Sequence, residues 1–269
     1  MTAANRNRVV VLSGPDLVQR HTCATLIARG VNVVGICFAG GRFVGVPWGF
    51  LRSSIKRKGW RRTLSQVAGR LVYLAGNRRA DAAIFRRLYD PDWIDRTLDA
   101  WQGQTLVARR YGDPETLAWL RSLAPDILVI HTAQFVGKQV REVPAKKLTI
   151  GGHPGLTPHY RGSHSAFWAV YNNRPQDLAC TIFWLDGGYD TGDVIRQEPL
   201  VIEPGDSYVS LAWKGMIRQA EMQADVILAN DDGVPIPRRS HPSIPADSYY
   251  DIPTLGDYLR YRRRQRRLR

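Results

Sequence analysis

The stretch RVVVLSGPDLVQRHTCATLIARGVNVVGICFAG, Arg8 to Gly40, decides the fold. Its two ends, RVVVLSG and VNVVGICFAG, are short apolar runs of the kind buried on both faces of a sheet. Between them PDLVQRHTCATLIARG carries helical patterning and stops at Gly30, a common helix terminator. Strand, helix and strand at this spacing open a βαβ unit, so the two strands lie parallel.

Residues 41–103 interrupt that rhythm. They are rich in Arg and Trp, with helical patterning in LSQVAGRLVYLAG and DPDWIDRTLDAWQG, and read as an inserted helical region. Alternation then resumes. TLVARR (105–110), DILVIH (126–131) and LTIGG (148–152) read as strands. DPETLAWLRSLA reads as a helix capped by Asp113 with Pro114 in its first turn. SHSAFWAVYNN (163–173) is a further helix, and 207–231 a long one. ACTIFWLDGG (179–188) and DVIRQEPLVI (193–202) form a strand pair around the loop DGGYDTGD. The expectation is a doubly wound, Rossmann-like α/β fold over 1–231, with a mostly parallel sheet and 41–103 as a helical insertion. Residues 232–269 follow as a Pro-rich and then basic extension. Ligands of such sheets sit beyond the carboxyl ends of the strands. That places His131–Phe135, Gly151–Gly162 and Asp186–Asp193 around one site.

The net charge is +14, and two segments account for thirteen of those charges. RSSIKRKGWRR, 52–62, has six basic residues and no acid; LRYRRRQRRLR, 259–269, has seven and no acid. The body is nearly neutral. Such segments are either solvated ends or weak contacts for an anionic membrane or a nucleic acid. Cys23, Cys37 and Cys180 have no metal-binding spacing, and an odd, sparse count points to a reduced compartment. No apolar run approaches the roughly 20 residues of a membrane span. A cytoplasmic protein without a bound metal is expected.

His153 follows a strand end in GGHPGLTPHYRG, and Asp190 sits in LDGGYDTGDVI. A histidine and a carboxylate on neighbouring strand-end loops can share proton transfer. Taken alone, each also reads as an ordinary loop residue. Together with the aromatic helix AFWAVYNN between them, these segments resemble the formyltransferase family that uses 10-formyltetrahydrofolate. Its pattern is Asn-x-His-Pro-x-x-x-Pro-x-x-Arg-Gly followed by Asp-x-Gly-x-Asp-Thr-Gly. The resemblance is good over about 105–230, holds in outline over 8–40, and is poor over 41–103.

The resemblance implies a fold, a formyl donor and a chemistry. An amine attacks the formyl carbon, an Asn and a His donate to the developing oxyanion, and an Asp orients the His. His153 and Asp190 take the latter two places. The folate would lie against Thr132, Gln134, Phe135 and Val136, and against Leu185, Asp186, Gly187 and Gly188. Arg161, His159 and His164 would face the amine substrate or anchor the loop. At the Asn position this chain has Gly151. Three readings follow: Gln134 or His131 supplies the missing hydrogen bond, a water fills the space, or the chain has kept the fold and stopped formylating. In that last reading it binds folate in a regulatory role or transfers another one-carbon or acyl group.

The acceptor expected by exclusion is an amine on a small metabolite such as an amino sugar. LSGPDLVQRH has one Gly and a Pro where the ribotide branch has a Gly-rich phosphate loop. The chain after the core is shorter than the C-terminal domain of the initiator-tRNA branch. The regulatory N-terminal domain of the folate-hydrolase branch is not expected either. Trp48, Trp60, Trp93 and Trp101 either line an acceptor pocket or, the reading preferred here, fill the core.

Overall fold

The computed structural model describes residues 6–40, 48–132, 134–145, 148–241 and 243–265. Parts of the insertion (41–47) and of the basic tail (266–269) lie outside these residues, as does the side chain of Trp48.

The opening βαβ unit is β1 (Val9–Ser13), α1 (Leu17–Ala28) and β2 (Val33–Ala39). Asp16 caps α1 by accepting from the Gln19 N–H at 3.1 Å, and Gly30, at φ +86°, takes the left-handed turn that ends it. The insertion contains α2 (Trp48–Lys58), α3 (Trp60–Leu88) and α4 (Pro91–Ala100). Its first helical pattern belongs to one 29-residue helix, α3. There follow β3 (Gln104–Ala108), α5 (Pro114–Ser122), β4 (Ile127–His131), α6 (Lys138–Arg141) and β5 (Leu148–His153). Asp113 precedes α5 as expected, yet its side chain makes no capping bond; a carboxylate oxygen lies 4.0 Å from Arg109 Nε instead.

The remaining elements are β6 (Arg161–Gly162), α7 (Ser165–Tyr171), β7 (Ala179–Trp184), β8 (Val194–Pro199), α8 (Tyr208–Asp231), β9 (Tyr249–Tyr250) and α9 (Leu255–Gln265). The main sheet runs β3-β2-β1-β4-β5-β7-β8, with β7 and β8 antiparallel to their neighbours and the rest parallel. Strand order reverses beside β1, and the loops after β4 and β5 open at the carboxyl edge there. One face packs Val9, Val11, Ile127, Val129 and Ile150 against α1 and α8; the other packs Val10, Leu12, Leu128 and Ile130.

The C-terminal segment is part of this packing. β9 pairs with β6, and Tyr258 and Tyr261 of α9 are buried beside Phe167 of α7. Trp60 corrects the reading of the insertion's tryptophans as core, because it is 58% exposed. Trp101 does pack on the core and donates from Nε1 to the Val33 carbonyl at 2.8 Å. All three cysteines are free and buried, and burial pushes each thiol up to about 12.

Candidate active site

Period-two alternation governs the site. Along β5, Ile150 and Gly152 face α8, while Gly151 and His153 face the other side of the sheet. His153 is 6% exposed and donates from Nε2 to the Tyr160 carbonyl at 2.8 Å. A carbonyl only accepts, so that nitrogen carries the proton; the neutral ring thus has no N–H left for the oxyanion role that the resemblance implied, and Nδ1 is left as a base. Nδ1 lies 3.5 Å from Asp190 Oδ2. Asp190 holds a left-handed backbone (φ +54°), which Asp tolerates better than most residues, and its Oδ2 accepts the Gly162 N–H at 3.0 Å. Two loops separated by 37 residues of sequence are thereby tied at one point.

These groups border a cavity of about 460 Å³ at the carboxyl edge, within the range of small-molecule sites. Thr132, Gln134, Phe135, Val136, Leu185, Asp186 and Gly188 of the expected folate-binding set line it; Gly187 does not. Phe135 and Tyr189 are more than half exposed, with ring centroids 6.3 Å apart, and offer flat apolar faces to a ring system. Asp186 folds its own loop, accepting from the Gly188 N–H at 2.9 Å and the Thr191 hydroxyl at 2.8 Å.

The substrate-side residues separate. Arg161 anchors loops, donating to Ser248 Oγ at 3.0 Å and the Tyr189 carbonyl at 3.2 Å. His159 is exposed and lines neither this cavity nor its neighbour. His164 lines a second cavity of about 560 Å³ beneath α3, and burial, with a smaller effect from Arg70, pulls its pKa down to about 4. The two cavities are separated by the chain itself, since Gly162 and Ser163 line the first. Trp60, Trp93 and Trp101 of the insertion line neither cavity; Trp213 of α8 lines the second.

Gly151 has no positive φ, so a tight left-handed turn does not explain it. A Cβ there would lie 3.0 Å from Phe183 Cε2 and 3.1 Å from Leu185 Cδ1. The space where the motif has an amide is therefore walled by apolar side chains. His131 is not a substitute donor. Its Nδ1 lies 3.3 Å from Thr22 Oγ1 and its Nε2 2.7 Å from Gln223 Oε1, and burial lowers its pKa to about 4. The side chain of Gln134 makes no hydrogen bond with the described residues and leans toward Gly40.

Gln219 of α8 was not foreseen. It is 1% exposed, lines the same cavity as His153, and its Nε2 has no hydrogen-bond partner among the described residues. Its Oε1 lies 2.5 Å from where a Gly152 Cβ would stand, so this side chain fits only because Gly152 has none. Each glycine of the pair thus admits a different neighbour. Gln219 and Gln223, four apart among the buried Ala220, Met222, Ala224 and Ile227 of α8, were the signal available in the sequence.

The sequence pattern of the formyl transferase family matches residues 79–227, more than half of the chain. The chain is 34% identical over 129 residues to a methionyl-tRNA formyltransferase of Synechococcus sp. (strain JA-3-3Ab), covering 47% of this chain and 39% of that one. It spans less than half the length of the first curated relatives it matches. A phosphoribosylglycinamide formyltransferase from Bacillus halodurans superposes with a TM-score of 0.53 at 15% identity, covering 83% of this chain and 95% of that one. A 4-N formyltransferase from Francisella tularensis gives 0.51 at 15% identity, covering 95% and 87%. At these identities the two structures establish a shared fold.

Proposed function

The chain belongs to the formyl transferase family, and on that premise we propose that it moves a formyl group from 10-formyltetrahydrofolate to the amine of a small metabolite such as an amino sugar, in the cytoplasm. The observation that carries this reading is the His153–Asp190 pair, 3.5 Å apart on the rim of a ligand-sized cavity. The cavity suits the donor: it is large enough, it has exposed aromatic faces, and it holds an unpartnered amide. Thr132, Gln134–Val136, Leu185, Asp186 and Gly188 would hold the folate. When bound, the donor would supply an electrophilic formyl carbon and, in the folate nitrogen that leaves it, the final acceptor of the proton the amine loses.

The residues then divide the work. His153 Nδ1 takes the proton that the attacking amine must lose, and Asp190 stabilises the imidazolium so formed. The Nε2–H bond to Tyr160 keeps the ring from turning. We assign the missing oxyanion donor to Gln219, whose amide lies against Gly152, one residue from His153. The basic segments 52–62 and 259–269 are read as contacts for an anionic surface rather than as parts of this site.

The apolar wall at Gly151 supports a second reading, a family member that binds folate without formylating an amine. One experiment separates the two. The protein is incubated with 10-formyltetrahydrofolate and a panel of amines that includes amino sugars, and tetrahydrofolate release is followed beside folate binding. Amine-dependent release, abolished in His153→Ala with folate binding retained, supports transfer. Binding with no release across the panel supports the second reading.

A further inference from the structure

Helix α3 is inside out. The residues it buries are Thr63, Gln66, Gly69, Tyr73 and Asp81. Facing solvent are Trp60 (58%), Leu64 (54%), Leu71 (61%) and Leu74 (36%). With Val67 these stand at i, i+4, i+7, i+11 and i+14, a continuous apolar stripe. Folding in water puts such a stripe against the core, so its outward direction calls for an apolar neighbour other than the described residues of the chain. Ile55 of α2 is exposed beside it in sequence, at 39%.

The charge around the stripe is mostly positive, with Asp251 paired to Lys58 and Arg62. Arg52, Lys56, Arg57, Lys58, Arg61 and Arg62 lie in or between α2 and the start of α3, with no acid among residues 52–62. The stretch that leads into the second basic segment is packed on the same helix. The Leu255 N–H of α9 donates to Ser65 Oγ at 3.2 Å, and Gly69 of α3 lies close against the backbone of Thr254 and Leu255. Asn77 donates to the Tyr258 hydroxyl at 3.1 Å, and Asp251 pairs with Lys58 at 2.6 Å. Arg260, Arg262 and Arg263 of α9 are exposed alongside Leu259. The cations of α2 and of the start of α3 thus flank the outward apolar stripe, while α9 covers the other side of α3 and turns Arg260 and Arg264 onto the Tyr171 ring of α7.

We propose that this α2–α3 surface docks on an anionic lipid bilayer, with Trp60, Leu64 and Leu71 in the acyl boundary and the cations of α2 and of the start of α3 on the headgroups. The alternatives fit less well. A second copy related by a two-fold axis would set like-charged patches against each other. A nucleic acid would use the cations but has nothing to offer a row of aliphatic side chains. Arg70 and Leu74 are exposed and also line the cavity beneath α3 that holds His164. An amphiphile leaving the bilayer at this surface therefore meets that cavity first. The proposal does not depend on which amine, or whether any, accepts a formyl group.

The test is co-sedimentation of the full chain with phosphatidylcholine vesicles, with and without phosphatidylglycerol, and tryptophan quenching by brominated acyl chains. Binding to the anionic vesicles with quenching is expected, and Leu64→Ser/Leu71→Ser should weaken it at least tenfold with the circular dichroism spectrum unchanged. Trp60→Ser should remove part of the quenching. Three results overturn the proposal: no binding to anionic vesicles near physiological salt; binding without quenching that the serine changes leave intact; or light scattering that shows a dimer dissolved by those changes. Tighter binding to a homopolymeric RNA than to the vesicles, insensitive to the serine changes, also overturns it and assigns the surface to nucleic acid.

Discussion

Gly151→Asn would place an amide two residues before His153, where the motif this chain resembles has Asn, and the structure decides what that amide meets. The new Cβ would stand 3.0 and 3.2 Å from two ring atoms of Phe183 and 3.1 Å from a methyl of Leu185. Phe183 is 2% exposed and pairs with Gly151 across β5 and β7, so the ring has little room to retreat. Overpacking of this kind costs roughly 1–3 kcal/mol. For a domain of this size that is a fall in Tm of about 2–12 °C, at ~2–4 °C per kcal/mol. An oxyanion donor in place would return about 2.7–4 kcal/mol, or 10²–10³ in rate, but only if the amide reached the reacting carbon. The single substitution should therefore lower Tm and leave kcat no higher than the parent. Gly151→Asn with Phe183→Leu makes room, and this pair should exceed Phe183→Leu alone in kcat by about tenfold or more. Differential scanning fluorimetry and tetrahydrofolate release measure the two quantities. A Gly151→Asn protein with unchanged Tm and a tenfold gain in kcat would refute the packing argument, because it would show the space to be open.

Further outcomes follow from the same geometry. Asp190→Asn keeps an acceptor for the Gly162 N–H and tolerates the left-handed backbone, so folate binding should persist while kcat falls about 10²–10⁴ with the loss of acid–base function. Gln219→Met, close in volume, should lower kcat about 10²–10³ with KM little changed; an altered Tm with kcat intact would reduce Gln219 to a packing residue. His131 stays neutral in the fold down to about pH 4, whereas the unfolded chain takes up that proton below about 6.5. Its contribution is thus full above pH 6.5 and is lost as pH falls. Urea titrations should show a loss on the order of 2 kcal/mol between pH 6.5 and 5 from this residue, and a smaller loss in His131→Gln.

The sequence by itself determined the βαβ opening, the return to alternation after the insertion, and the loops that flank the site. These are local matters: apolar runs, Gly30 and the motif HPGLTPHYRG act through neighbours a few residues away. Only the tertiary structure decided the rest. Gly151 and Gly152 look alike in the sequence, yet one admits Phe183 and Leu185 and the other admits Gln219, because alternate residues of a strand face opposite layers. Thr254 and Leu255 stand far along the chain from the insertion, and only the fold packs them on α3. The insertion's apolar residues read as core from periodicity, which marks a stripe without saying which way it faces. That direction depends on what covers the opposite stripe, here Thr254, Leu255 and Tyr258, far along the chain.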